Sequence, residues 1–212
     1  MNLQVDVISD VICPWCFIGK RRLEKAIAAA HGQHEFQIRW HPYQLNPAMP
    51  REGISRREYR IKKFGSWERS QQLDANIVAV GKTEGIDFNF DRVERTPNTL
   101  DAHRLIALAD QAGCQDAVVE ALFQAYFANG QDLSNRQTLL AVVTAAGLDQ
   151  QRATTLLNSD EDHETIKAAA EQARKLKVDS VPFFIINGEL GLSGAQPPDV
   201  FLAAFNQAAG TN

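Results

Sequence analysis

The chain has 212 residues, 44% of them hydrophobic and 23% charged, with a formal net charge of −4. At roughly 150 residues per domain this is one large domain or a small one carrying an insertion, with core enough to fold without staples. Three cysteines exclude a disulfide scaffold, the acidic balance argues against a nucleic-acid binder, and no apolar run approaches the ~18 residues of a membrane span.

Met1 to Asp6 holds no basic stretch, so neither a signal peptide nor a lipidation motif is expected, and the cytoplasm, where thiols stay mostly reduced, is the expected compartment. Leu3 to Ile8 is an apolar strand pattern. Cys13-Pro14-Trp15-Cys16 follows, and then a helix to about His31 that places Phe17, Leu23, Ile27 and Ala30 roughly on one face. Gly32 is its stop. Phe36 to His41 alternates apolar and polar, a second strand. Pro42, Pro47 and Pro50 mark an irregular link.

From Ser55 to Lys177 the patterns are helical. Helices are expected over 55–64, 66–84, 98–112, 115–129, 134–146, 149–157 and 160–177. Ser134-x-x-Gln137 is a capping box for the fifth of these, and Ser159 is the expected cap of the last. Val181 to Ile186 is again a strand. Asn187-Gly188 is a two-residue hairpin turn, Glu189 to Leu192 returns, and 199–209 closes as a helix. The order β-α-β, helices, β-β-α is that of a thioredoxin-like α/β fold with a large all-helical insertion after the second strand. Residues 1–42 and 178–212 form the thioredoxin-like domain, and 43–177 the inserted helical domain.

A C-x-x-C between a strand and a helix is a redox dithiol signal in an intracellular protein. Cys13 falls at the amino end of the helix, with Pro14 in the first turn where a missing N–H costs nothing. Open backbone N–H groups and the helix dipole stabilise a thiolate there. Cys13 is then the attacking sulfur, and Cys16, one turn further and more buried, the resolving one. Haem attachment needs His after the second Cys, where Phe17 stands. Zinc shared with His31 and His34 fails on distance, because Cys16 and His31 are 15 residues apart, about 22 Å along a helix. No metal site is expected.

Asp10-Val11-Ile12-Cys13-Pro14-Trp15-Cys16-Phe17-Ile18-Gly19-Lys20-Arg21-Arg22 resembles the FrnE-type branch of the DsbA family. So do 42–47 (PYQLNP), 97–104 (PNTLDAHR), 181–188 (VPFFIING) and 193–197 (SGAQP). The resemblance covers nearly the whole chain. It implies thiol–disulfide oxidoreductase activity through Cys13 and Cys16, and a cis Val181-Pro182 bond facing them. Pro14, Trp15, Val181 and Pro182 are the expected substrate contacts, the backbone before Pro182 offering an edge to extended substrate. No tightly bound cofactor is implied, although glutathione is a possible co-substrate. The expected partners are protein or small-molecule thiols and disulfides. The sequence sets no oligomeric state.

Kappa-class glutathione transferases and 2-hydroxychromene-2-carboxylate isomerases share the superfamily. They carry serine at the position of Cys13, and an acidic side chain where this chain has Gly194-Ala195-Gln196. Both departures favour dithiol chemistry. The alternative is a glutathione-dependent isomerase or transferase acting on a small aromatic substrate. Asp10 is a candidate modulator of the thiols, or simply a loop cap. Arg51, Arg56, Arg57, Arg60, Lys62 and Lys63 are six cations within 13 residues. Of these, Arg56, Arg60 and Lys63 share a helix face, expected to be solvated, or else to be a patch that receives an acidic substrate or the glutathione carboxylates. His103 and Arg104 are expected to pack at the domain junction, Cys114 to be structural or incidental, and Trp40, Trp67, Phe123, Tyr126 and Phe127 to be core.

Overall fold

In the computed structural model, residues 2–175 and 178–210 are described. Strand β1 (Asn2–Ser9) leads to α1 (Pro14–Ala29) and β2 (Glu35–Pro42). β1 and β2 pair in parallel, which requires the α1 crossover between them. After the helices, β5 (Phe183–Ile186) and β6 (Leu190–Ser193) return antiparallel, β5 against β1, giving the order β2-β1-β5-β6. Helix α9 (Pro198–Ala208) follows and packs on α1. Alternate side chains of β1, Leu3, Val5 and Val7, are fully buried, as the two-residue strand period dictates.

Between the second strand and β5 lie α2 (Arg56–Phe64), α3 (Trp67–Thr83), α4 (Leu100–Gln111), α5 (Gln115–Phe123), α6 (Arg136–Ala145), α7 (Gln150–Leu157) and α8 (His163–Lys175). The inserted segment also holds a small antiparallel ribbon, β3 (Ile54–Ser55) with β4 (Arg95–Thr96). Three helices start where the sequence put them, at side chains that cap them. Ser55, Ser66 and Asp149 accept hydrogen bonds from the N–H groups of Glu58, Arg69 and Arg152.

Four local expectations are corrected. Asn135, not Ser134, caps α6, accepting from the Gln137 and Thr138 N–H groups, while Ser134 bonds Asp132 instead. With Ser134 held by Asp132, the Asn135 amide oxygen takes the open N–H groups of the first turn, so the cap shifts by one. Ser159 bonds the Leu156 carbonyl and the Glu161 N–H, and α8 starts only at His163, after Asp162 takes φ +62°. The expected end of that helix at residue 177 lies outside the described residues. The β5–β6 turn has Asn187 and Gly188 both at positive φ (50° and 73°), but Ile186 faces Leu190, so Glu189 makes the loop one residue longer than expected. Last, the helix predicted over 115–129 breaks at Phe123 into a π turn, Gln124–Ala128, with Asn129 N–H donating to the Gln124 carbonyl.

The insertion is tied to α1 by charge as well as by packing. Lys20, 2% exposed, reaches Asp116 (3.1 Å) and Glu120 (3.3 Å) on α5 and its own-helix Glu24. Arg21 binds Glu120 with both nitrogens. Phe17 on α1 stacks on Phe123 (centroids 5.1 Å) and meets Phe88 edge-on (5.9 Å). Trp40 is buried in the same core, its indole N–H on Asp116, whereas Trp67 is only half-buried beneath Arg57. A flat indole at the start of α3 finds a guanidinium over it rather than a core pocket. The helix carrying the cysteines is thus fixed against both the sheet and the inserted helices.

Candidate active site

Cys13 is the N-cap of α1, with extended backbone (φ −92°, ψ 111°), and Pro14 is the first helical residue. The loop is held by Cys13 N–H to the Asp10 carbonyl (2.9 Å) and Cys16 N–H to the Cys13 carbonyl (3.0 Å). Both cysteines are free thiols. Cys13 is 6% exposed and Cys16 wholly buried. Burial pushes the Cys16 thiol well above its ordinary range, and the hydrogen bond and charge of Cys13 push it the same way. One sulfur can therefore meet solvent while the other is held as a thiol behind it.

The far end of the chain closes on this pair. The Val181–Pro182 peptide is cis, and the Cys13 thiol donates to the Val181 carbonyl at 3.4 Å. Pro182 leans on Gly19 of α1, where a Cβ would sit 2.9 Å from the proline Cγ. Its carbonyl accepts from the Gly194 N–H (2.8 Å). Trp15 is 41% exposed at the lip. Pro14 and Trp15 thus follow Cys13 in the chain, and the fold brings Val181, with Pro182 after it, against the Cys13 sulfur.

Asp10 lies behind the pair with no exposed surface. Its Oδ2 accepts from the Leu45 N–H (2.8 Å). Its Oδ1 is 3.3 Å from His103 Nε2 but forms no hydrogen bond of good geometry. His103 Nε2 is 3.1 Å from the Tyr43 carbonyl. So His103 stands beside a buried carboxylate of the site, a position no sequence spacing revealed. Its neighbour Arg104 is a strap, donating to Asp101 and to the carbonyls of Leu156, Ser159 and Glu161. Cys114 is half-buried at the start of α5. His34 lies beyond the other end of α1, against Phe36. Among the described residues no cluster of three or more His, Cys, Asp or Glu side chains is arranged to hold a metal.

The expectation of a solvated basic face is corrected at Arg56 and Arg60, while Lys63 stays exposed. Arg56 is 6% exposed, and both Arg56 and Arg60 bind the carboxylate of Asp74 on α3 at 2.7 Å. Burial lowers the Arg60 guanidinium below its ordinary value, Asp74 working against this and Arg56 with it. These residues form a wall of a pocket of ≈ 270 Å³ that opens beside Cys13 and Trp15. Leu73, Ile77, Phe90, Tyr126 and Phe127 line its apolar side. Tyr126 and Phe127, expected only as core, are also pocket wall, because the π turn brings them there. The sequence signal was weak: aromatic Tyr59 and Phe64 interleave with the cations of α2.

A family profile described as a DSBA-like thioredoxin domain matches residues 4–206. The chain belongs to the DsbA-like thioredoxin family. A probable DsbA oxidoreductase from Streptomyces coelicolor is 30% identical and superposes with a TM-score of 0.90, covering 99% of this chain and 91% of its own. The uncharacterised protein YwbO of Bacillus subtilis (strain 168) is 28% identical over 210 residues, 97% of each chain. At 18% identity the fold is shared with a cytosolic disulfide reductase, DsbM, of Pseudomonas aeruginosa bound to GSH, with a TM-score of 0.70 and cover of 98% and 99%. It is shared equally with a 2-hydroxychromene-2-carboxylate isomerase (18% identity, TM-score 0.69, 99% of each chain). No described helix is long and apolar enough to cross a membrane.

Proposed function

We propose that this DsbA-like protein is a thiol–disulfide oxidoreductase of the FrnE type working through Cys13 and Cys16. The observation that carries the reading is the placement of the Cys13 sulfur. It sits on a helix N-cap, 3.4 Å from the carbonyl that precedes a cis proline, with a buried second thiol one turn away.

In the reducing direction, the Cys13 thiolate attacks one sulfur of a substrate disulfide. A Cys13–substrate bond forms, and the substrate S–S bond breaks, expelling one thiolate that takes a proton. The Cys16 thiol then loses its proton and attacks the Cys13 sulfur. The second substrate thiol leaves, and a Cys13–Cys16 disulfide remains. Two electrons and two protons pass from the dithiol to the substrate. The oxidising direction is the reverse. Asp10, buried behind Cys16, accepts or supplies the Cys16 proton. Pro14 and Trp15 form one lip of the substrate groove. Val181 and Pro182 form the other, where extended substrate pairs with the backbone.

We place the protein in the cytoplasm, without a resident cofactor, and with glutathione as a co-substrate. The shared fold of the cytosolic, GSH-bound DsbM supports this reading. The second reading, a glutathione-dependent isomerase or transferase, has one observation in its favour, the pocket against Cys13.

Trapping tests the choice. With oxidised glutathione, Cys16→Ser is expected to accumulate a stable Cys13–glutathione disulfide, visible as a mass increase, and to lose multiple turnover. Cys13→Ser is expected to form no adduct at this pair. Full disulfide turnover by Cys16→Ser would overturn the dithiol mechanism, and small-molecule isomerisation needing Cys13 alone would establish the second reading.

A further inference from the structure

The pocket beside Cys13 is unlike a groove for extended polypeptide. Its volume of ≈ 270 Å³ falls just short of the ~300–1,000 Å³ range of small-molecule sites. Its far side is apolar and largely aromatic. Phe127 is 1% exposed and Tyr126 4%, with the Tyr126 hydroxyl donating to the Arg95 carbonyl (3.1 Å). The π turn that presents this pair is a rare backbone form, common at functional sites. No carboxylate lines the pocket, yet three cations do, Arg56, Arg60 and Lys63.

The first two cations share one partner, Asp74, so the guanidinium pair keeps excess positive charge. Lys63 bonds the Tyr59 hydroxyl (2.8 Å) and lies over the Tyr59 and Phe64 rings. Among the described residues no carboxylate comes within ion-pair distance of it. A wall of this kind, positive and half-desolvated, is complementary to an anion on an apolar body.

We propose that the pocket is a substrate subsite that takes one half of a low-molecular-weight disulfide, an aryl or similarly apolar thiol carrying a carboxylate. The proposal rests on the dithiol reading. The half left on Cys13 after attack occupies the pocket, its ring against the apolar side that Phe90 and Phe127 form and its carboxylate toward Lys63 and Arg60. The other half leaves as a free thiol. Cys16 then displaces the bound half, and two thiols are released for one Cys13–Cys16 disulfide formed. A single turnover starting from reduced protein balances without further reagents.

The test is single-turnover oxidation of the reduced full-length protein, followed by tryptophan fluorescence. Three probes are used: 3,3′-dithiobis(benzoic acid), its bis-carboxamide and bis(2-hydroxyethyl) disulfide. Each rate is divided by that of N-acetylcysteine with the same probe, which removes intrinsic reactivity. Both aryl probes are expected to exceed the hydroxyethyl probe. The carboxylate is expected to exceed the carboxamide by roughly fivefold, the size of one partly screened ion pair, with the ratio shrinking in high salt. Lys63→Gln should move that ratio toward one, while Lys62→Gln, which does not line the pocket, should leave it. Leu73→Trp, which fills the cavity, should remove the aryl advantage. Equal normalised rates for all three probes, or ratios unmoved by Lys63→Gln and Leu73→Trp, would overturn the subsite. In that case turnover of the hydroxyethyl probe would show the dithiol intact. Failure of every probe to oxidise the pair would overturn both readings.

Discussion

Gly19 is where helix α1 touches Pro182, so Gly19→Ala probes the contact that sets the site. A Cβ there would lie 2.9 Å from Pro182 Cγ and 3.1 Å from Phe184 Cζ. Relaxed carbon contacts are about 3.5–4.0 Å, so a shift of roughly half an ångström or more is demanded. Neither neighbour gives way easily, since one is a closed ring and the other is fully buried on β5. Overpacking of this kind costs about 1–3 kcal/mol. Replacing glycine inside a helix returns about 1 kcal/mol. The net expectation is a loss of roughly 0–2 kcal/mol, read as a lower urea midpoint at unchanged slope. The same displacement separates α1 from the Val181 carbonyl, so alkylation of Cys13 should change rate. Phe184→Leu removes the Cζ contact, and on that background Gly19→Ala should cost less, a coupling of contacting residues. A gain of about 1 kcal/mol from Gly19→Ala, the full helix propensity, would refute the tight α1–Pro182 contact.

Arg104→Met removes donors from three carbonyls and Asp101 at a wholly buried position. A loss of about 2–4 kcal/mol in denaturant unfolding is expected. Glu84 is pushed up by burial, but Lys25 and Arg22 outweigh this and hold its carboxyl below the ordinary range. Its stabilisation is therefore present above the ordinary carboxylate range and lost as pH falls, so Glu84→Gln should differ from the parent by about 1 kcal/mol at pH 7 and converge with it below about pH 4. Cys16 shifts the other way. Its raised thiol pKa makes its contribution full below the unfolded-state value of about 8.5 and lost as pH rises beyond it. The reduced protein should weaken in alkali more steeply than Cys16→Ala, as followed by thermal melts from pH 7 to 10.

The frame of the fold was legible because its signals are local. β1 and β2 alternate, Pro14 opens α1, and three of the inserted helices begin within a residue of Ser55, Ser66 and Asp149, where the sequence started them. Cys13, Cys16 and the Val181-Pro182 step were likewise readable, since each is a short motif at a strand–helix or loop–strand boundary. What was lost lies in long-range pairing. Periodicity put Arg56 and Arg60 on one face but could not show that Asp74 of the next helix turns that face inward. Nothing near His103 in sequence points to Asp10, which is brought to it by the fold. The π turn leaves no trace in the apolar pattern of 115–129, yet it decides that Tyr126 and Phe127 wall a cavity.

The central claim is that Cys13 and Cys16 form one reversible two-electron couple. Its direct test is equilibration of the protein in glutathione redox buffers, with tryptophan fluorescence and thiol trapping as readouts. The account predicts a single two-electron transition to an intramolecular disulfide, with a midpoint inside the roughly −270 to −120 mV span of C-x-x-C oxidoreductases. A stable Cys13–glutathione adduct with no Cys13–Cys16 disulfide at any ratio would contradict it.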